Sequence, residues 1–273
     1  KLIKKNDEEA LIWNIKAAEQ GDPEIQLQLA DMYRDGKIIK RDINEALIWY
    51  LKSAEQDTEE AQISIAEIYE HGTGAQKNYK EAFKWHIKAA EQGNMESQMK
   101  VAHMYFEGVG TDKNDHEALK WYVMAAGNGN EDAQFKAGKM YNEGIGTEVD
   151  PKKAYKLYKE AGEQGNVKAE FEVGFMYHKG NGVHQNYKKA LDWYLKAAEK
   201  GNVEGQFKVG TMYADGGEVS PDYKEAYKWL SIAAKKGKWI AFEGKEMLSK
   251  KMTKKEIDES KKLTEEWLLE HKP

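Results

Sequence analysis

Apolar and polar residues alternate along this chain with a helical period, and the whole pattern then returns every 36 positions. Alanine recurs at Ala10, Ala46, Ala82, Ala118, Ala154, Ala190 and Ala226, and tyrosine at Tyr33, Tyr69, Tyr105, Tyr141, Tyr177 and Tyr213. A third column runs Trp13, Trp49, Trp85, Trp121, Leu157, Trp193 and Trp229, with no residue gained or lost between copies. The hexapeptide KAAEQG stands at 16–21 and again at 88–93, with the altered copy KSAEQD midway at 52–57. A period carried by every column marks one repeat array rather than a string of different domains.

The punctuation within a unit predicts two helices. Asn94 follows Gly93, a stop signal followed by a start signal, and the same column holds Asp22, Thr58, Asn130, Asn166 and Asn202. Pro23 suits a first helical position. Met99, Ala102, Met104 and Tyr105 then share one apolar face, which stops near Gly108. The loop EGVGT follows, with relatives HGTGA, EGIGT and KGNGV. A second cap column reads Asn6, Asp42, Asn78, Asn114, Asp150, Asn186 and Asp222. Glu9, Glu45, Glu81, Glu117 and Glu225 stand three residues later, a capping-box spacing, while Asp150 is followed by Pro151. The second helix continues through Ala118, Trp121, Tyr122 and Ala125.

One such helix pair cannot cover its own apolar face, so neighbours must stack on it. The small column Ala30, Ala66, Ala102, Gly138, Gly174 and Gly210 lets helices approach, and the Trp and Tyr columns are expected to fill the space between them. The fold expected is an all-α solenoid of 36-residue helix-loop-helix repeats, forming one array over residues 1–273. Within it we expect a lone second helix at 6–21, six full repeats at 22–237, and a last first helix with a capping helix at 238–270. Thr253 and Glu256 open the cap, whose Ile257, Leu263, Trp267 and Leu268 are expected to lie against the last repeat.

Composition narrows the function. With 33% charged and 40% apolar residues and only 4 Pro, the chain suits helices with one buried face. Its net charge of -5 is spread over the repeats, which argues against nucleic acid as a partner, and no apolar run is long enough to span a bilayer. Zero Cys removes disulfides, thiolate nucleophiles and cysteine metal sites. The chain begins at Lys1 with neither an initiator Met nor a signal-like segment, from which we expect an upstream segment to have been removed. Whether the protein is cytoplasmic or exported to the periplasm stays open.

No catalytic chemistry emerges. The glycine loops occur at identical phase and lack the Gly-Lys-Ser or Gly-Lys-Thr of a phosphate loop, so they read as turns. His178 and His184 flank one loop without further convergent ligands, and no H-E-x-x-H or nucleophile elbow is present. We therefore expect no catalytic residue, no metal and no cofactor. Columns identical in every copy build the scaffold, whereas variable columns are free to bind. On the first helix these are Gln28, Ser64, Lys100, Lys136, Glu172, Lys208; Asp31, Glu67, His103, Lys139, Phe175, Thr211; and Arg34, Glu70, Phe106, Asn142, His178, Ala214. The candidate partner-binding residues are Lys100, His103, Phe106, Lys136, Lys139, Asn142, Phe175 and His178. Aromatics among charges are typical anchors. The alternative is that each phenylalanine packs locally under a loop.

The run Ala61, Gln62, Ile65, Ala66, Ile68, Tyr69, Gly72, Gly74, Asn78, Ala82 and Trp85, with its equivalents in later units, resembles the Sel-one-like repeat, a cousin of the tetratricopeptide repeat. Ile38, Leu157 and Glu218 depart from the pattern and put only local geometry in question. The resemblance implies a right-handed α/α superhelix whose first helices line a concave surface. It also implies a monomeric, non-enzymatic adaptor that binds a protein or peptide there, in bacterial signalling, secretion or host interaction. An immunity or accessory protein that neutralises a secreted toxin is a second reading. A wall-active or β-lactam-binding enzyme is a third, disfavoured by the missing Cys and missing Ser motif.

Overall fold

The computed structural model describes residues 5–37, 39–216 and 220–271, with side chains from Leu11 onward. Ile38 and Glu218 lie outside the described residues, as do the side chains of Asn6, Glu9 and Ala10. Fifteen helices and no strand are present among the described residues: α1 (Lys5–Glu19), α2 (Pro23–Asp35), α3 (Ile43–Ala54), α4 (Glu59–His71), α5 (Tyr79–Glu91), α6 (Met95–Glu107), α7 (Asp115–Gly127), α8 (Glu131–Glu143), α9 (Pro151–Glu163), α10 (Val167–Lys179), α11 (Tyr187–Glu199), α12 (Val203–Asp215), α13 (Tyr223–Lys235), α14 (Trp239–Ser249) and α15 (Lys254–Glu270). The fold class is an all-α solenoid of helix pairs repeating every 36 residues. Two compact units divide it, Lys1–Asn128 with α1–α7 and Gly129–Pro273 with α8–α15. Inside each, a first helix packs on the second helix of its own repeat, and that helix packs on the next first helix.

Helix ends follow the cap columns. The side chains of Asp22, Asn94, Asn130, Asn166 and Asn202 each accept a hydrogen bond from the amide three residues on, satisfying a donor that the helix leaves free. Thr58 makes no such bond. Helix α1 starts at Lys5, which places Asn6 inside it rather than ahead of it. The expected capping boxes are corrected as well. Asp42, Asn78, Asn114 and Asp222 do cap the amide three residues on, but the carboxylates of Glu81, Glu117 and Glu225 pair with Lys84, Lys120 and Lys228 one turn later. Both halves of a capping box form at Thr253 and Glu256.

The loop inside each repeat is closed by a bond that ties two columns together. The amides of Asn78, Asn114, Asp150 and Asn186 donate to the carbonyls of Tyr69, Tyr105, Tyr141 and Tyr177 at 2.8–2.9 Å. The second loop glycine is required by space as well as by backbone angle. Gly110 has φ +74°, and a Cβ there would overlap the carbonyl of Tyr79 in the preceding repeat. That contact joins one repeat to the next.

The core is set by the residue after the Trp column more than by the Trp column itself. Tyr50, His86, Tyr122, Tyr158, Tyr194 and Leu230 are all buried. Among the tryptophans, Trp49, Trp193 and Trp229 are buried, Trp85 and Trp121 are half-buried, and Trp13 is 68% exposed. Trp13, Trp49, Trp85 and Trp193 each lie under the ammonium of the lysine three residues on, at 3.8–5.0 Å from the ring centroid. This column is thus a partly wet outer layer, because its helix face is only partly covered.

A buried amide ladder runs beneath. Gln26, Gln62, Gln98 and Gln206 donate to the carbonyls of Ala18, Ala54, Ala90 and Ala198 near the end of the preceding helix, each of which also accepts a backbone amide from the turn that follows. A residue 30 positions later donates in turn to the ladder side chain, as Gln56 to Gln26, Gln92 to Gln62, Asn128 to Gln98 and Gln164 to Gln134. At the far end of the second unit, Trp267 of α15 meets Trp229 at 5.7 Å between ring centroids, while Ile257 and Leu268 are partly buried and Leu263 stays exposed.

Candidate partner-binding surface

The candidate residues lie on three first helices, α6 in the first unit and α8 and α10 in the second, at equivalent positions of each helix. Positions three apart on a helix share a face, so Lys100, His103 and Phe106 align along α6. Lys100 is not a free cation there. Its ammonium donates to both carboxylate oxygens of Glu70 on α4, at 3.0 and 3.1 Å. His86 of α5 sits under the same carboxylate, with Nε2 3.5 Å from Oε2. Burial works to raise the Glu70 carboxyl, but the Lys100 bond and charge, aided by His86, outweigh it and hold it below the usual range. Burial depresses His86 despite the opposing pull of Glu70, with Lys100 adding to the depression. His103 is exposed. Phe106 is half-buried, with the Lys113 ammonium 5.3 Å from its ring centroid.

In the second unit Lys136, Lys139 and Asn142 align along α8. Lys139 is exposed and 3.9 Å from Glu143, Lys136 is half-buried, and Asn142 accepts a hydrogen bond from Asn181 at 3.2 Å. Phe175 on α10 is half-buried against the hydrophobic core of this unit. His178 lies edge-on to Tyr187 at 5.3 Å and near Tyr194 at 6.2 Å, and its buried Nδ1 has no hydrogen-bond partner. Burial lowers its pKa, and Lys208 and Lys179 push the same way. Glu172 is raised by burial and then by Glu143, with Lys139 opposing. Phe175 and His178 are therefore half inside the packing, whereas His103 and Lys139 offer open contact.

Three participants were not among the candidate residues: Glu70, His86 and Glu172. His86 carried a usable signal, since it stands in a column that holds tyrosine in four repeats, at Tyr50, Tyr122, Tyr158 and Tyr194. Glu70 and Glu172 carried none, because an isolated carboxylate in a variable column looks like a solvated face until a partner arrives from another helix. Among the described residues, no group of three or more His, Asp or Glu side chains is placed to hold a metal ion, and no helix is long and apolar enough to cross a membrane.

The comparisons agree with this architecture. The Sel1 repeat family matches at residues 1–22, 23–58, 59–94, 96–130, 131–166, 167–202 and 203–238. The crystal structure of a protective antigen present in uropathogenic Escherichia coli strains, displaying an SLR fold, is 34% identical with a TM-score of 0.77, covering 95% of this chain and 55% of that one. The chain thus spans about half the length of that relative. The crystal structure of a Sel1 repeat protein from Oxalobacter formigenes is also 34% identical, with a TM-score of 0.55 and coverage of 78% and 86%. No curated protein matches the chain. Sel1 repeat proteins generally mediate protein–protein interaction and are generally scaffold-like rather than enzymatic. With seven matched segments and the helix pairs to go with them, this chain belongs to the Sel1 repeat family.

Proposed function

We propose that the protein is a non-enzymatic adaptor that holds a protein or peptide partner on the variable face of its first helices. The observation that supports this most is the division of labour between columns. The constant Ala, Gln and Tyr positions are consumed by packing, while the variable face of α6 and α8 keeps His103 and Lys139 exposed and Phe106 half-exposed. An accessible aromatic amid charges supplies apolar area and fixes orientation at once. In the second unit Lys136, Asn142, Phe175 and His178 lie partly buried on the same columns of α8 and α10, and in the first unit Lys100 is held in place by Glu70.

The test is site-specific photo-crosslinking in the source cells. A crosslinking residue at His103 or Lys139 is expected to trap one protein or peptide, which the same residue at Lys156, exposed on second helix α9, does not trap. Equal adducts at all three positions, or none at His103 and Lys139, overturn the reading.

A further inference from the structure

The cleft bounded by α13, α14 and α15 has a volume of about 430 Å³, and its lining includes Tyr227, Ser231, Phe242, Lys235, Lys245 and Lys261 together with Glu265. Four of these residues break the columns that the other repeats keep. Ser231 replaces an apolar residue (Ile15, Leu51, Ile87, Val123, Leu195, with Lys159 the exception). Lys235 replaces glutamate (Glu19, Glu55, Glu91, Glu163, Glu199, with Gly127 the exception). Phe242 stands in the buried amide column, and Lys245 in the column of Leu29, Ile65, Val101, Ala137, Val173 and Val209.

A terminal helix facing water explains a lysine in an apolar column. It does not explain an aromatic ring 53% exposed where the other repeats bury an amide or carboxylate side chain. Nor does it explain Ser231, whose hydroxyl is buried and has no hydrogen-bond partner, a costly state unless a ligand completes it. Exposure also leaves the charge reversal at Lys235 unaccounted for, since the glutamates of that column are exposed too. Lys245 stands over the rings of Phe242 and Tyr227, at 4.7 and 5.9 Å from their centroids. Lys235, Lys245 and Lys261 line the cleft with Glu265; Lys245 also lies 3.2 Å from Glu246 and Lys261 3.9 Å from Asp258, two carboxylates outside the lining, so the ammonium groups outnumber the carboxylates only within the cleft itself.

We propose that this cleft is a binding site, separate from the first-helix face, for a compact apolar group that carries a carboxylate. The apolar part lies against Tyr227 and Phe242. The carboxylate sits among Lys235, Lys245 and Lys261, and the Ser231 hydroxyl donates to it, since charge-assisted bonds of this kind are the strong ones. Such chemistry is offered both by the carboxy-terminal residue of a peptide and by a free arylalkanoic acid.

The experiment is isothermal titration of the whole protein, with backbone amide shifts at Tyr227, Ser231 and Phe242 followed by NMR. The probes are N-acetyl-phenylalanine and its amide, a decapeptide ending in phenylalanine as free acid and as amide, and 3-phenylpropionate. The acids are expected to bind and shift these amides, with each amide probe at least about tenfold weaker. A decapeptide acid tighter than 3-phenylpropionate assigns the site to a peptide terminus, and the reverse order assigns it to a free acid. Lys245→Glu is expected to weaken the acids about tenfold or more. Ser231→Leu restores the residue type of the other repeats, keeps the fold, and is expected to abolish binding by filling the cleft. Equal binding of acids and amides, absence of binding by every probe, or undiminished binding in folded Ser231→Leu overturns the proposal.

Discussion

Glu170 and Lys200 form an ion pair at 2.8 Å in the position where the four preceding repeats place two amides. Glu170 is 2% exposed and stands in the ladder column of Gln26, Gln62, Gln98 and Gln134, while Lys200 stands in the column of Gln56, Gln92, Asn128 and Gln164. Both members differ from the four earlier pairs; in the next repeat the lysine is kept as Lys236 opposite Gln206, where it donates to the Gly201 carbonyl instead. A buried carboxylate left alone is costly, so the lysine accompanies it.

Lys200→Ala is therefore expected to destabilise the protein by about 1–3 kcal/mol, because the buried Glu170 side chain loses its donor. The double change Glu170→Gln with Lys200→Gln reinstates the neutral ladder and is expected to come within about 1 kcal/mol of the parent. Urea denaturation of the three proteins checks this, and a double variant as unstable as the single one would count against it.

Loop geometry yields a pair of opposite expectations. Gly110→Ala places a Cβ against the Tyr79 carbonyl at positive φ and is expected to cost about 2 kcal/mol or more. Asp57 holds φ +62° in the column where Gly93 holds +104°. Asp57→Gly should thus relieve left-handed strain and raise stability by up to about 1 kcal/mol. Thermal melting reads both.

The two aromatic columns should differ in what they lose. Tyr122 is buried, and Tyr122→Ala is expected to cost about 3–5 kcal/mol. Trp121 is half-exposed, so Trp121→Ala is expected to cost roughly half of that, despite the larger ring removed. Equal losses at the two sites would mean that the outer layer is as tightly packed as the inner one.

Acid should weaken the fold through its buried imidazoles. Burial lowers the pKa of His86 and His178 below 6.5, so the unfolded chain binds protons that the native protein resists. Their contribution is fully present above about pH 6.5 and is lost as pH falls toward the folded values. Glu172 acts with the opposite sign, since its raised pKa favours the native state as acid is added. The difference between parent and His86→Tyr isolates the first effect: the tyrosine of the neighbouring repeats does not titrate here, so stability should fall less between pH 7 and pH 5. Parallel pH profiles would exclude His86 as a source.

Much of the fold was legible because it is written in local, repeated terms. An Asn or Asp before a helix, a glycine after it and an apolar stripe at helical spacing each act within a few residues, so Asn94, Gly108 and the Met104–Tyr105 pair announced their roles without any fold in hand. Identity across copies also separated scaffold from variable positions. What tertiary structure decided was depth and company. The sequence cannot say that Trp121 stays half in water while Tyr122 goes under, because burial depends on which face the neighbouring repeat covers. It likewise could not show that Lys100 is spoken for by Glu70, nor that Ser231, Phe242 and Lys245 share one cleft with Lys261 of a different helix. Hydrogen bonds and charge pairs act over a few ångströms, and residues tens of positions apart come that close only when helices stack.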